Sequence, residues 1–242
     1  MNMYINTTRS LLALLVLLLG TTLLVGCSGG KEGNGEDEAE AVSDETPQTN
    51  KPSGEMLTSA AGDAYNPVIT HTATLKTSLG NIVFELYGED APKTVANFVG
   101  LAKQDFYDGI LFHRVVPGFV IQGGDPKSKD VNLKSQWGQG GGSIYNNAQF
   151  EDELNKETPS YKRGYVRGTI AMANAGPNTN TSQFFIMVGS GLPPLYTIFG
   201  YVREGMDVVD AIVANGQGAP PPNPIAIQDV TVTEYKAINL GE

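Results

Sequence analysis

The stretch Phe112-His113-Arg114-Val115-Val116-Pro117-Gly118-Phe119-Val120-Ile121-Gln122-Gly123-Gly124-Asp125 decides how the folded part of this chain is read. It lies across two short apolar runs, Ile110–Val116 and Phe119–Gln122, parted by Pro117-Gly118 and closed by a glycine pair. Apolar runs this short, bounded by Gly and Pro, read as strands joined by turns. Toward the N-terminus, His71 to Lys76 alternates, Ser78-Leu79-Gly80-Asn81 turns, and Ile82, Phe84 and Leu86 share one face, which is a β-hairpin. Toward the C-terminus, further runs come at Thr169–Ala173, Gln183–Val188, Thr197–Val202 and Val230–Ala237. Two segments have helical spacing instead. One starts at Pro92, a residue tolerated in a first turn, with Val95, Phe98, Val99 and Ala102 on one side; the other holds Met206, Val209, Ile212 and Val213. The expected fold is mainly β: a closed antiparallel barrel capped at its ends by two helices. The 29 glycines, which follow no collagen-like period, agree with a turn-rich domain.

A chain of 242 residues can bury one sizeable core. Its net charge of −10 argues against a general affinity for nucleic acid, and its single cysteine, Cys27, excludes an intramolecular disulfide. The acid excess is unevenly placed. Between Ser28 and Asp63 nine acidic side chains face only Lys31 and Lys51, with no sustained apolar period. Such a segment cannot bury enough apolar surface to offset its ordering entropy, so residues 27–65 read as a solvated tether. Ahead of it, Met1–Ser10 is polar with Arg9 as its basic side chain, Leu11–Leu19 is unbroken apolar, and small or apolar residues lead to Gly26. That order describes a secretory signal peptide over residues 1–26, its apolar run being short of the ~20 residues a spanning helix needs. Leu24-Val25-Gly26-Cys27 resembles the lipobox of bacterial lipoproteins. The resemblance implies cleavage after Gly26, acylation of Cys27, and a mature chain anchored to a membrane outside the bacterial cytoplasm.

Within residues 66–242 most familiar catalytic arrangements are missing. His71 and His113, the only histidines, lack metal-ligand spacing with Cys, Asp or Glu. Gly138, Gly140, Gly141 and Gly142 have neither the strand-to-helix setting nor the Lys-Ser/Thr of a phosphate loop, and read as a flexible loop. Asp125 to Gln136 has lysines where a calcium loop places oxygen ligands, and no serine sits in a nucleophile elbow. Neither a metal nor a cofactor is expected.

A second dense segment is Met172-Ala173-Asn174-Ala175-Gly176-Pro177-Asn178-Thr179-Asn180-Thr181-Ser182-Gln183-Phe184-Phe185-Ile186. Together with Phe112–Asp125, and with Phe199-Gly200 and Ile212 further on, it resembles the signatures of the cyclophilins over roughly Thr70 to Tyr235. The resemblance implies an eight-stranded antiparallel barrel with two capping helices, and peptidyl-prolyl cis-trans isomerase activity on proline-containing polypeptides. It also implies residue roles. Arg114 would donate to the twisted amide, with Gln122 orienting it and Phe119 beside it as the other catalytic residues. Phe119, Val120, Phe185 and Leu192 would line the proline pocket, and Tyr196 would flank it. Gln183 and the backbone of Asn174 would hold the peptide on either side of the proline, with Ala173 and Ala175 keeping the groove shallow. His113 would project to the opposite side from Arg114, toward the core. The expected state is a monomer.

Three positions depart from well-known eukaryotic cyclophilins. Val120 stands where methionine is common, and Tyr196 stands in place of a histidine. The segment Gly189–Tyr196 is short and lacks a tryptophan, with Gly191 at the nearest position. In the family that tryptophan packs against cyclosporin and donates its indole N–H, and a glycine can do neither. An insertion runs from about Lys127 to Gly142 and contains Trp137, the only tryptophan. Trp137 is either an exposed protein contact or folds back over the barrel as a loop anchor. A proline-peptide binding module or chaperone with incidental turnover is the rival function, and a surface lipoprotein serving as adhesin or solute receptor is a third. Retention of Arg114 favours catalysis, since binding needs the pocket but no donor aimed at the amide nitrogen.

Overall fold

The computed structural model describes residues 66–235. The expected signal peptide (1–26), Cys27 and the tether (27–65) lie outside the described residues, as does Ala237 at the end of the last expected strand. The expected hairpin is β1 (His71–Thr77) and β2 (Gly80–Leu86). Thr77 pairs with Gly80, leaving a two-residue turn. Gly80 has φ +132, a conformation that L side chains rarely adopt, and Thr77 Oγ1 accepts the Leu79 N–H at 3.1 Å.

Helix α1 (Pro92–Ala102) follows, with proline in its first turn as expected. Its N-terminal N–H groups have no local cap. Instead the distant Glu153 carboxylate accepts from Lys93 N at 2.9 Å and Thr94 N at 2.8 Å, satisfying two orphan donors and meeting the positive end of the helix dipole. Phe98 on its buried face sits among Phe84, Tyr107, Phe184 and Phe199 at centroid distances of 4.9–5.8 Å. Strands β3 (Arg114–Val116) and β4 (Val120–Gly123) flank the Pro117-Gly118 turn. Then come two short 3-10 turns within 126–136, helix α2 (Pro159–Arg163), β5 (Thr169–Met172), β6 (Phe184–Met187), β7 (Ile198–Glu204), α3 (Met206–Asn215) and β8 (Ile227–Glu234). The sequence pattern showed neither the 3-10 turns nor α2, because elements of four to six residues are too short to display a period.

All eight strands pair antiparallel in one sheet of order β3-β4-β6-β5-β7-β2-β1-β8, a mainly β fold as expected. The sheet is a curled half-barrel. Its ladder ends on β3 and β8, and the chain around β3 meets the segment that leads into β8 through the isolated bridges Leu111–Ala226 and Val115–Gly218. The run Ile110–Val116 becomes a strand only from Arg114. Opposite it, Pro220, Pro221, Pro222 and Pro224 have no N–H to offer, so a continuous ladder cannot form there. The main core lies inside the curl, where Leu75, Phe84, Ile121, Ile170, Phe184, Ile186 and Phe199 meet α1 and α3.

Candidate active site

Strands β4, β5 and β6 are buried along nearly their whole length, which requires cover on both faces. The two-residue period sorts their side chains. Ile121, Ile170, Met172, Phe184 and Ile186 point into the main core. Val120, Ala171, Phe185 and Met187 point the other way, into a second apolar cluster with Tyr165 and Ile198. Phe119, Ala173, Leu192 and Tyr196 pack against that outer cluster and leave a cleft of about 130 Å³. Arg114, Phe119, Val120, Gln122, Ala173, Asn174, Phe185, Leu192 and Tyr196 line it, so nine positions chosen from the sequence meet at one place. Phe185 forms its floor, and Tyr196 stands edge-on to it at 5.5 Å and 88°, a contact worth ~0.5–1.5 kcal/mol beyond its buried area.

Arg114 enters from β3. It pairs across the ladder with Gln122, which puts both side chains on one face. Its Nη1 donates to Gln122 Oε1 at 3.3 Å, and its Cζ lies 5.4 Å from the Phe119 ring centroid. No acidic group among the described residues forms an ion pair with it, and a guanidinium offers five N–H donors, so several remain for a ligand in the cleft.

Gln183 also reaches the site, but its bonds are spent within the protein. Its Nε2 donates to the Gly138 carbonyl at 3.0 Å and the Gly140 carbonyl at 2.6 Å, while its Oε1 accepts from Gln122 Nε2 at 3.0 Å. The insertion is therefore tied to the cleft. Its other post is Asp125, a fully buried carboxylate that accepts from Lys127 N at 2.8 Å, Gly138 N at 2.5 Å and Gly140 N at 3.2 Å. The glycines belong to this close packing rather than to a flexible loop. A Cβ on Gly140 would lie 2.1 Å from Asp125 Oδ1, and one on Gly141 would lie 2.3 Å from Thr181 Oγ1. Trp137 is half-buried and its Nε1 donates to the Asp130 carbonyl at 3.0 Å, which makes it an anchor of its own loop.

His113, just ahead of β3, is buried beside Asp125 and Gln183. Neither ring nitrogen makes a well-directed hydrogen bond. Burial holds its pKa below the ordinary 6.5, outweighing the opposite pull of the Asp125 carboxylate, the nearby Leu111 carbonyl and Gln183. Arg114 adds to the lowering. The unfolded chain therefore binds this proton more readily than the folded one. His113 contributes its full stability above about pH 6.5, and the contribution is lost as pH falls from there through the folded value. Between pH 7.5 and 5.5 the wild type is expected to lose more stability in urea than His113→Phe does; equal losses would remove this assignment.

On the peptide side, Asn174 donates from Nδ2 to the Leu195 carbonyl at 3.1 Å, while its own backbone N–H and carbonyl have no partner among the described residues. Asn174 and Ala175 border a second cleft of about 330 Å³, lined also by Gln122, Gly140, Thr181 and Gln183. No aromatic or large aliphatic side chain lines this larger cleft, so the 130 Å³ cleft, with Phe119, Phe185 and Leu192 beside Arg114, is the better place for a proline ring. Among the described residues, no group of three or more His, Cys, Asp or Glu could hold a metal, and no helix is long and apolar enough to cross a membrane.

Residues 72–232 match the profile of the family described as cyclophilin type peptidyl-prolyl cis-trans isomerase. This chain belongs to that family. The cyclophilin is 50% identical over 136 residues to a peptidyl-prolyl cis-trans isomerase of Schizosaccharomyces pombe, covering 55% of this chain and 79% of the relative. It is 42% identical over 189 residues to peptidyl-prolyl cis-trans isomerase A of Mycobacterium tuberculosis, covering 69% of this chain and 95% of the relative. Among solved structures, a cyclophilin-type isomerase of Cryptosporidium parvum aligns with TM-score 0.59 at 33% identity, over 70% of this chain and all of the other. The same Cryptosporidium enzyme, crystallised in the presence of the dipeptide Ala-Pro, aligns with TM-score 0.57 at 35% identity, over 67% and 98% of the two chains.

Two site residues of this cyclophilin escaped the sequence reading. Asp125 closes the first dense segment, and nothing in its neighbours marks it as the post that holds the insertion. Tyr165 sits in no dense motif, and its bonds to the cleft wall go to backbone atoms, which leave no trace in side-chain patterns.

Proposed function

We propose that this isomerase acts on exported polypeptides outside a bacterial cytoplasm, anchored through an acylated Cys27, and that Arg114 is its catalytic donor. One observation supports the catalytic assignment above the others: an arginine without an ion pair among the described residues shares the lining of one cleft with Phe119, Phe185 and Leu192. An X-Pro bond rotates slowly because amide resonance must be broken, a barrier of ~18–20 kcal/mol. No covalent bond is made or cleaved, so neither nucleophile nor metal is required. As the amide twists, its nitrogen regains a lone pair that can accept a hydrogen bond. The Arg114 guanidinium stays charged, is steadied by Gln122 Oε1, and can donate to that lone pair only in the twisted state. An interaction confined to the transition state raises turnover rather than binding alone. Phe119, Val120, Phe185, Leu192 and Tyr196 would grip the ring, and the open backbone of Asn174 would bind the chain beside it.

Full-length protein assayed on a proline peptide is expected to accelerate cis-to-trans conversion. Binding without acceleration would favour the rival reading of a proline-peptide module. The anchoring rests on Leu24-Val25-Gly26-Cys27. Cys27→Ser is expected to abolish incorporation of a fatty-acid probe and to let the uncleaved preprotein accumulate. Equal labelling of wild type and variant would rule out Cys27 as the lipid site.

A further inference from the structure

We propose that Tyr165 is a positioning residue for the proline pocket, holding Leu192 and Tyr196 in its wall; this rests on the reading of the 130 Å³ cleft as that pocket. The segment from Gly189 to Tyr196 has no regular secondary structure, yet it supplies one side of the cleft. It cannot support itself. Pro193 and Pro194 have no N–H to give, and its one internal bond runs from Leu195 N to the Pro193 carbonyl at 2.8 Å. Its shape must be imposed from outside.

The supports are few. At its start, Val188 N and Gly189 N donate to the Phe119 carbonyl at 2.8 and 3.1 Å. Gly189 is so close to the Gly118 carbonyl oxygen that a Cβ there would lie 1.9 Å from it. Beyond that point Tyr165 takes over. Its backbone carbonyl accepts from Gly191 N at 3.2 Å. Its hydroxyl donates to the Tyr196 carbonyl at 2.5 Å and accepts from Tyr196 N at 3.0 Å. One residue thus fixes the chain on both sides of Leu192 and at the base of the Tyr196 ring. The Asn174 amide adds one bond at the Leu195 carbonyl.

Tyr165 is buried, outside the main core, in the outer cluster that forms the cleft. Its ring meets the Tyr196 ring edge-on at 6.4 Å. Burial pushes its hydroxyl up to about 12, so the group keeps its proton, and both of its bonds, at any working pH. Without the hydroxyl, the Tyr196 backbone loses a donor and an acceptor at once, and its ring can drift from Phe185. The wall binds ground and transition states alike, so the loss falls on KM rather than kcat.

The test is Tyr165→Phe in the full-length enzyme, which keeps the ring and removes the oxygen. KM is expected to rise about threefold to tenfold, the range for one or two neutral hydrogen bonds, with kcat within about twofold. In a background that lacks both side chains it positions, Leu192→Ala with Tyr196→Ala, the same change is expected to alter KM by less than about twofold, because the backbone bonds to residue 196 then hold no pocket wall in place. An unchanged KM, or equal effects in the two backgrounds, overturns the proposal. Arg114→Ala assayed beside it separates the layers. If that variant keeps its turnover, the pocket reading itself fails; if it loses turnover while Tyr165→Phe is silent, only the role of Tyr165 fails. Should Tyr165→Phe not fold, amide exchange in the wild type decides. The partner of Tyr196 N is the Tyr165 hydroxyl, so slow exchange at this half-exposed position supports the clamp and unprotected exchange overturns it.

Discussion

Arg114→Ala is expected to lower kcat/KM at least tenfold and to leave the fold intact. The magnitude follows from the kind of bond removed. A hydrogen bond from a charged donor is worth ~1.5–3 kcal/mol, which corresponds to about a tenfold to somewhat over a hundredfold loss if it forms only in the twisted state. Stability should change little. Arg114 is half-buried, its one side-chain hydrogen bond is a 3.3 Å contact to Gln122, and Gln122 keeps its bond to Gln183 when the arginine is gone. No carboxylate among the described residues loses an ion partner, so no buried charge is stranded. The loss should appear in kcat more than in KM, since the apolar wall of Phe119, Val120 and Phe185 is untouched. Turnover near the wild-type level in a folded Arg114→Ala enzyme would refute the mechanism.

Weak inhibition by cyclosporin is the second large effect expected. Gly191 stands nearest the position of the missing tryptophan, it is exposed at φ +90, and a Cβ there would have no neighbour within 4 Å. Neither an aromatic surface nor an indole N–H is therefore offered from that position. Losing one aromatic anchor and one buried hydrogen bond costs ~2–4 kcal/mol, roughly thirtyfold to nearly a thousandfold in affinity. Tyr196 is the residue that could compensate, but the Tyr165 hydroxyl holds its backbone and its ring faces Phe185. Titration of the drug against isomerase activity, with a tryptophan-containing cyclophilin beside it, checks the point. Equal potency on the two enzymes would show that Gly191 and the short segment are irrelevant.

Strands and capping helices were legible because their signals are local. Ile82, Phe84 and Leu86 alternate, and Val95, Phe98 and Val99 recur at helical spacing, so the hairpin and α1 fall where they were expected. The last strand starts three residues before the expected Val230, because Ile227 pairs with Thr77 across a register shift that no sequence period shows. The site was legible for a different reason. Arg114, Phe119 and Gln122 lie within one short segment, and the turn at Pro117-Gly118 sets the register that places Arg114 and Gln122 across a ladder from one another. What sequence could not supply were pairings over long separations. Glu153 caps α1 from 60 residues away, and Gln183 binds the Gly140 carbonyl from 43 residues away. The seam of the barrel is held by two isolated bridges and not by a continuous ladder, and no local pattern shows this, since the prolines facing β3 act across the seam and not along their own stretch.

Trp137 turns the insertion into an optical reporter. It is the chain's one indole, half-buried, with its N–H bound to the Asp130 carbonyl, so its emission follows the surroundings of this loop. The neighbouring Gly138 is bonded to Asp125 through its N–H and to Gln183 through its carbonyl, and Gln183 leads through Gln122 to Arg114. Light absorbed at the loop therefore starts from one end of a chain of contacts that reaches the Arg114 guanidinium. Peptide arriving in the cleft is expected to change the fluorescence intensity or wavelength of an unlabelled sample, and an unaltered spectrum at saturating peptide would show that the contacts do not carry the signal. The same signal followed through denaturant would register release of the insertion, which need not coincide with melting of the strands beneath it.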